Sequence, residues 1–194
     1  RVVSNMAVGV DNIDLVACAE RGIAVGHTPD VLTDSTADIA WLLVMASTRR
    51  MQEGIEFVRA GEWNQWDPEG LLGPDVSRST IGIIGMGRVG EAIGTRALGC
   101  DMEVLYTARS AKPAVEERLG ARRAPLDELL SMSDHIVVAV PLTPETHQLI
   151  GERELSLMKP TAYLVNTSRG PIVDEAALIA ALNNRTIAGA AIDV

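Results

Sequence analysis

Residues 80–99, TIGIIGMGRVGEAIGTRALG, constrain the fold more than any other stretch of the chain. A short apolar run at 81–84 ends in Gly85-x-Gly87-x-x-Gly90, and an amphipathic pattern with Val89, Ile93 and Ala97 on one face follows it. The pattern reads as a buried strand, a glycine turn and a helix N-terminus. Gly85 permits the tight turn, Gly87 places no Cβ in the way of a pyrophosphate, and Gly90 lets helix and strand pack closely. The helix start, Arg88 and Val89, adds unpaired N–H groups and a partial positive charge. Glycine triplets also occur in plain αβ turns; the readable strand before and helix after favour a dinucleotide site.

From residue 80 the pattern alternates. Apolar runs at 81–84, 102–107, 135–140, 162–166 and 187–193 are separated by helical segments at 88–98, 113–119, 125–131, 152–158 and 174–183. Solidly apolar strands imply burial on both faces, hence a parallel sheet. The expectation is an α/β fold with a doubly wound parallel sheet of Rossmann type. Upstream, a strand at 1–5 leads through a turn-rich loop to a short helix ending near Glu20. Gly22 closes that helix, and a strand at 23–25 and a Gly26-His27-Thr28-Pro29 connector follow. Ser35-x-x-Asp38 then predicts the start of one long helix, apolar nearly all round over 37–46 and closed by Gly61. Such a helix must be covered on both sides, by another domain or another subunit. Trp63 and Trp66, in the loop at 62–79, read as packing or subunit contacts.

Composition narrows the function classes. A net charge of −9 over 194 residues argues against a nucleic-acid surface. No apolar run approaches the ~18 residues of a membrane span. Cys18 and Cys100 stand apart, without metal or redox spacing, and read as two buried reduced thiols of a cytoplasmic protein. No cluster has metal-ligand spacing and no Ser-His-Asp arrangement suggests hydrolysis. The chain begins at Arg1 and ends at Val194 in strand-like material, so it is expected to be an internal piece of a longer protein.

Ligands of such sheets sit beyond the carboxyl ends of the strands. The second strand of the alternating region ends Leu105-Tyr106-Thr107-Ala108-Arg109-Ser110, without the carboxylate that would bind an adenosine ribose. Arg109, helped by Ser110, could pair with a 2′-phosphate instead, or be a solvated loop cation. The first reading favours NADP(H), with NAD(H) possible. The run ending Asn166-Thr167-Ser168-Arg169-Gly170 offers an arginine whose planar fork suits a small carboxylate, although a surface salt bridge fits equally on spacing alone. Asp193, at the next strand end, could accept from a nicotinamide amide. His27, His135 and His147 lack carboxylate partners at motif spacing and read as structural.

Six segments taken together resemble the D-isomer-specific 2-hydroxyacid dehydrogenases, closest to the glyoxylate/hydroxypyruvate reductase branch. They are VSNMAVGVDNIDL, GHTPDVLTDSTADIAWLL, TIGIIGMGRVGEAIGTRALG, VPLTPETHQLIG, LMKPTAYLVNTSRGPIVDEAAL and IAGAAIDV, in order along nearly the whole chain. The resemblance implies that residues 1–29 are the tail of a flavodoxin-like substrate domain and 30–194 a dinucleotide-binding domain. It implies backbone N–H groups of Val8 and Gly9 on the substrate carboxylate, and Gly87, Arg88 and Val89 on the pyrophosphate. Arg109 would set the phosphate preference and Pro141 line the adenosine side. Thr167 and Asp193, with Thr36 nearby, would orient the nicotinamide, and Arg169 would be the catalytic arginine. The family's catalytic His and Glu would follow residue 194, so these residues alone are expected to be inactive. Gly26-His27 stands where a Thr-Asn-like pair is expected. A homodimer through the nucleotide-binding domain and a small 2-oxoacid substrate complete the expectation. The alternative is a nucleotide-sensing corepressor of the C-terminal-binding-protein type, which pairs NAD with an acidic residue where this chain has Arg109.

Overall fold

The computed structural model describes residues 1–194, and two separate parallel sheets divide them. Val2–Ser4 (β1) and Ala24–Gly26 (β2) pair with each other, linked through the helix Leu15–Glu20 (α1). Asp14 caps α1 by accepting from the Ala17 N–H at 2.8 Å. Thr33–Thr48 (α2) and Met51–Arg59 (α3) lead into the larger sheet. That sheet comprises Thr80–Ile84 (β3), Glu103–Thr107 (β4), Arg122–Arg123 (β5), His135–Val138 (β6), Tyr163–Asn166 (β7) and Gly189–Ile192 (β8). The order is β5-β4-β3-β6-β7-β8 and every pair is parallel. This is the doubly wound order, and its direction reverses between β3 and β6.

Burial on both faces makes the central strands β3, β4, β6 and β7 largely apolar. Ile81 and Ile83 of β3 enter one core with Ala37, Ala40 and Val44 of α2, and with Ile93 and Ala97 of Arg88–Leu98 (α4). Val115 and Leu119 of Pro113–Leu119 (α5) close that side. Ile84 turns to the other core, with Leu129 and Leu130 of Leu126–Met132 (α6), Leu155 of Glu152–Leu157 (α7) and Leu178 of Glu175–Asn183 (α8).

Four details differ from the sequence expectation. The long helix is two helices: Arg50 takes φ +53° and turns the chain between α2 and α3. There the segment around Gly73 crosses the end of α2 so closely that a Cβ would overlap the Thr48 carbonyl. Arg49 also donates to the Gly73 and Pro74 carbonyls, at 3.2 Å each. The start of α2 is Thr33, two residues before Ser35, whose hydroxyl donates to the Leu32 carbonyl instead of capping. The edge strand β5, two exposed arginines, carries no apolar pattern and was not expected. The thiols of Cys18 and Cys100 are free and half-buried, not fully buried.

The apolar surround of α2 is covered only on one side by this chain. Ala37, Ala40, Val44 and Thr48 are buried, whereas Ile39 and Leu42 are 38% and 51% exposed. No helix is long and apolar enough to cross a membrane.

Candidate active site

The three glycines of the turn after β3 are there for three different reasons. Gly85 takes φ +104°, and a Cβ on it would lie 2.5 Å from the Ala139 carbonyl oxygen. Gly90, in the first turn of α4, lies so close to the Gly85 carbonyl that a Cβ would overlap it. Gly87 is different. It has an ordinary extended backbone (φ −89°, ψ −167°), and a Cβ on it would meet nothing within 4 Å. No protein atom requires glycine there, and the space beside it is open. No side chain caps α4, which leaves its first N–H groups facing that space. Arg88, exposed beside it, is ion-paired with Asp30.

The neighbouring strand ends close around this turn. The Gly85 N–H donates to the Thr107 carbonyl at 2.9 Å, which places the β4 end, and with it exposed Arg109, beside the glycines. Two groups pin the loop that carries Arg109. Arg123 donates to the Ala108 and Arg109 carbonyls at 2.8 and 3.3 Å. The buried Tyr106 phenol accepts from the Lys112 N–H at 2.8 Å and donates to Glu116. On the other flank, the Ala139 N–H donates to the Ile84 carbonyl at 2.8 Å, and exposed Pro141 follows two residues later.

The loop at 7–10, which follows β1 of the two-stranded sheet, faces the larger sheet. Three consecutive carbonyls are held from behind: Ala7 by the Thr28 N–H at 3.1 Å, Val8 by His27 Nδ1 at 3.0 Å, and Gly9 by Asn5 Nδ2 at 2.7 Å. The Val8 contact requires the Nδ1–H form of His27, since a carbonyl oxygen only accepts. In a trans peptide C=O and N–H point in opposite directions, so the N–H groups of Val8, Gly9 and Val10 point away from these anchors. None of the three donates to a protein acceptor.

Arg169, just past β7, reaches across to this loop. Its Nε and Nη2 donate to the two carboxylate oxygens of Asp11, at 3.1 and 3.0 Å, and its Nη1 donates to the Ser168 carbonyl at 2.7 Å. Gly9 packs so tightly on this guanidinium that a Cβ would overlap Nη2. The hydrogen bonds from Arg169, with smaller help from its own backbone, hold the Asp11 carboxyl below its ordinary value, so the pair is charged at neutral pH.

Comparison with known proteins decides the family. Residues 41–194 match the family described as D-isomer specific 2-hydroxyacid dehydrogenase, NAD binding domain. The chain belongs to that family. Among curated relatives, it is 54% identical over 198 residues to a glyoxylate reductase of Thermococcus gammatolerans, covering 100% of this chain and 59% of that one. It is 48% identical over 195 residues to a glyoxylate/hydroxypyruvate reductase B of Yersinia enterocolitica, with 100% and 60% coverage. Among solved structures, D-lactate dehydrogenase from Aquifex aeolicus, complexed with NAD and lactic acid, superposes with a TM-score of 0.93 at 34% identity. That match covers 100% of this chain and 57% of the other. The chain therefore spans about three fifths of the length of these 2-hydroxyacid dehydrogenases.

The remaining residues fit a nicotinamide dinucleotide of the kind this family binds. Thr167, beside β7, is buried with a hydroxyl that has no protein partner. Exposed Asp193 follows β8, and its N–H continues the ladder to the Asn166 carbonyl at 3.1 Å. Thr36 sits half-buried early in α2 and makes no hydrogen bond to another site residue. Of the histidines, His27 holds the Val8 carbonyl. His135 lies at the opposite end of the sheet, its Nδ1 3.2 Å from Thr48 Oγ1 and its ring stacked on Tyr163. His147 lines a cavity of about 360 Å³ with Asn166, Pro171 and Ile192 at the carboxyl end. The wiring of the 7–10 loop, Asp11 and Arg123 were not anticipated; all but the Asn5–Gly9 bond act through contacts distant in sequence.

Proposed function

We propose that this chain belongs to an NADP(H)-preferring 2-oxoacid reductase that reduces glyoxylate or hydroxypyruvate. The observation that carries the reading is the pairing of Arg169 with a backbone N–H row at Val8 and Gly9 that has no protein acceptor. Arg169 has five N–H groups and three are committed, so two remain for an anionic, carbonyl-bearing substrate. In this reading the Val8 and Gly9 N–H groups take the carboxylate, and Arg169 grips it and polarises the adjacent carbonyl. Gly87, Arg88 and Val89 hold the pyrophosphate on the turn that Gly85 and Gly90 shape, and Pro141 lines the adenosine side. Thr167 and Asp193, with Thr36 nearby, orient the nicotinamide, which supplies the hydride. The proton donor is a histidine outside these 194 residues.

Arg109 supports the preference for NADP(H). It stands where a ribose-binding carboxylate would, on a loop that Arg123 and Tyr106 hold in place. Nothing at that strand end favours the corepressor alternative. The uncovered Ile39–Leu42 side of α2, with Trp63 and Trp66 at 65% and 80% exposure, supports a homodimer through this domain. Residues 1–29 are the end of the substrate domain in this reading. Steady-state reduction of glyoxylate, hydroxypyruvate and pyruvate by the full-length enzyme, with NADH and with NADPH, tests it. Turnover of the first two, preferentially with NADPH, is the expected result; peptide binding without reduction would replace the proposal by the corepressor.

A further inference from the structure

We infer that Asp11 is the positioning residue of the substrate site: it fixes the guanidinium of Arg169 so that its two uncommitted N–H groups face the carboxylate-binding loop. The inference rests on the proposed role of Arg169 and deepens it. A carboxylate beside an arginine that must attract an anion weakens that attraction. Its presence therefore needs a reason, and the hydrogen-bond pattern supplies one. Asp11 takes the Nε and Nη2 donors together, in the side-on bidentate geometry that fixes both the position and the plane of the group. The Ser168 carbonyl takes a third donor, on Nη1. The two N–H groups left are one on Nη1 and one on Nη2. Nη2 is also the atom against which Gly9 is packed. Nη2, which carries one of the two uncommitted donors, therefore lies against Gly9, whose N–H has no protein acceptor and points away from the Val8 carbonyl that His27 holds.

The alternative of a plain surface ion pair accounts for less. An exposed Lys or Arg pair with Asp or Glu needs no particular geometry and leaves long side chains free to move. Here both partners are only about one-third exposed, 40% and 34% for the two side chains, and the bond joins residues 158 apart in sequence. Asp11 belongs to the small N-terminal unit and Arg169 to the large sheet, so the arginine is set only when the two units lie together.

The test is a double-mutant cycle in the full-length enzyme, with Asp11→Ala, Asp11→Asn, Arg169→Lys and the combinations, reading kcat and KM for glyoxylate and, separately, NADPH affinity by fluorescence. Asp11→Ala is expected to lower kcat/KM by roughly 10- to 100-fold, since a displacement of about 1 Å at such a site can cost 10²-fold. NADPH affinity is expected to stay within about twofold, which a general structural role would not allow. Asp11→Asn, nearly isosteric and keeping an acceptor oxygen, is expected to lose less, and it replaces Asp11→Ala should that variant fail to fold. In the Arg169→Lys background the Asp11 substitutions are expected to add nothing, because Asp11 acts through the guanidinium. Unchanged kinetics in both Asp11 variants, additive losses, or a lower KM (the mark of a merely competing carboxylate) would each overturn the inference. If Arg169→Lys itself left kcat/KM intact, the underlying assignment of Arg169 would fall instead.

Discussion

Both ends of the large sheet carry polar groups, and these are arranged in opposite ways. At the amino end the buried groups are mostly used up on one another. Asp134 accepts from the Thr80 N–H at 2.9 Å and from Lys159 at 2.8 Å, and His135 bonds to Thr48. Ser79 donates to the Val76 carbonyl at 2.6 Å. A polar cavity of about 300 Å³ lies there, lined by Arg78, Asp134 and His135 among others. The one orphan, His135 Nε2, has essentially no accessible surface and so does not open into it. At the carboxyl end the protein leaves donors unused: the start of α4, the N–H row at Val8–Val10, two donors of Arg169 and the Thr167 hydroxyl. Buried polar groups are normally paired inside the protein. In the proposed reading the difference separates polar groups that hold the fold together from polar groups that bind a ligand, and cavity size alone does not make that distinction.

The sharpest way to break the comparison is to remove Arg169. In the full-length enzyme, Arg169→Ala is expected to lower kcat/KM for glyoxylate by about 10²–10³ or more, the cost of losing a preorganised donor, with little change in thermal stability. A large loss of stability and a small loss of activity would move Arg169 to the structural class. The glycines sharpen the same contrast within one turn. Gly87→Ala places a methyl in open space, so stability should hold while NADPH affinity falls at least about tenfold. Gly90→Ala drives a methyl into the Gly85 carbonyl, so it should cost about 1–3 kcal/mol, as overpacking does. Thermal melts with and without cofactor separate the two, and a reversed pattern would mean that the open space at Gly87 is not the phosphate site.

Arg109 gives a smaller and more selective effect. Losing a charge-assisted hydrogen bond of about 1.5–3 kcal/mol corresponds to roughly a 10- to 100-fold higher KM for NADPH in Arg109→Ala. NADH should change by no more than about twofold, because it has no 2′-phosphate to lose. Equal effects on both cofactors would defeat the assignment.

What sequence could reveal follows the range of the interactions. The strand, turn and helix at 80–98 were readable to within a residue, since apolar run, glycine spacing and amphipathic period are all local signals. The break between α2 and α3 was not, because Arg49-Arg50 carries neither glycine nor proline and the chain crossing it at Gly73 comes more than twenty residues later. Val8 and Gly9 could be named only through a family resemblance, and the strand-end position of Arg169 left a surface salt bridge equally open. Their geometry depends on Asn5, four residues from its partner, and on His27 and Asp11, whose contacts follow no short spacing. His27 was read as structural, and it holds the carbonyl of Val8, a residue of the proposed substrate loop.

The mildest prediction concerns the self-satisfied end of the sheet. Burial pushes the His135 imidazole below its ordinary pKa, against the opposing pull of Asp134. A depressed folded value means that the unfolded chain takes up the proton first as pH falls. The stability tied to His135 is therefore complete above about pH 6.5, the ordinary imidazole value, and is lost as pH drops toward the folded value. Asp134 follows the same sign at lower pH. Burial raises its carboxyl, but Lys159 and the Thr80 N–H outweigh that and leave it below the ordinary range, so its contribution goes only below about pH 4. Denaturant titrations from pH 7.5 to 5 should show stability falling below about pH 6.5 in the wild type and a flatter profile in His135→Gln, with NADPH affinity at pH 7.5 unchanged. If cofactor affinity moved with this substitution, the two ends of the sheet would be coupled, and the division drawn between them would have to be abandoned.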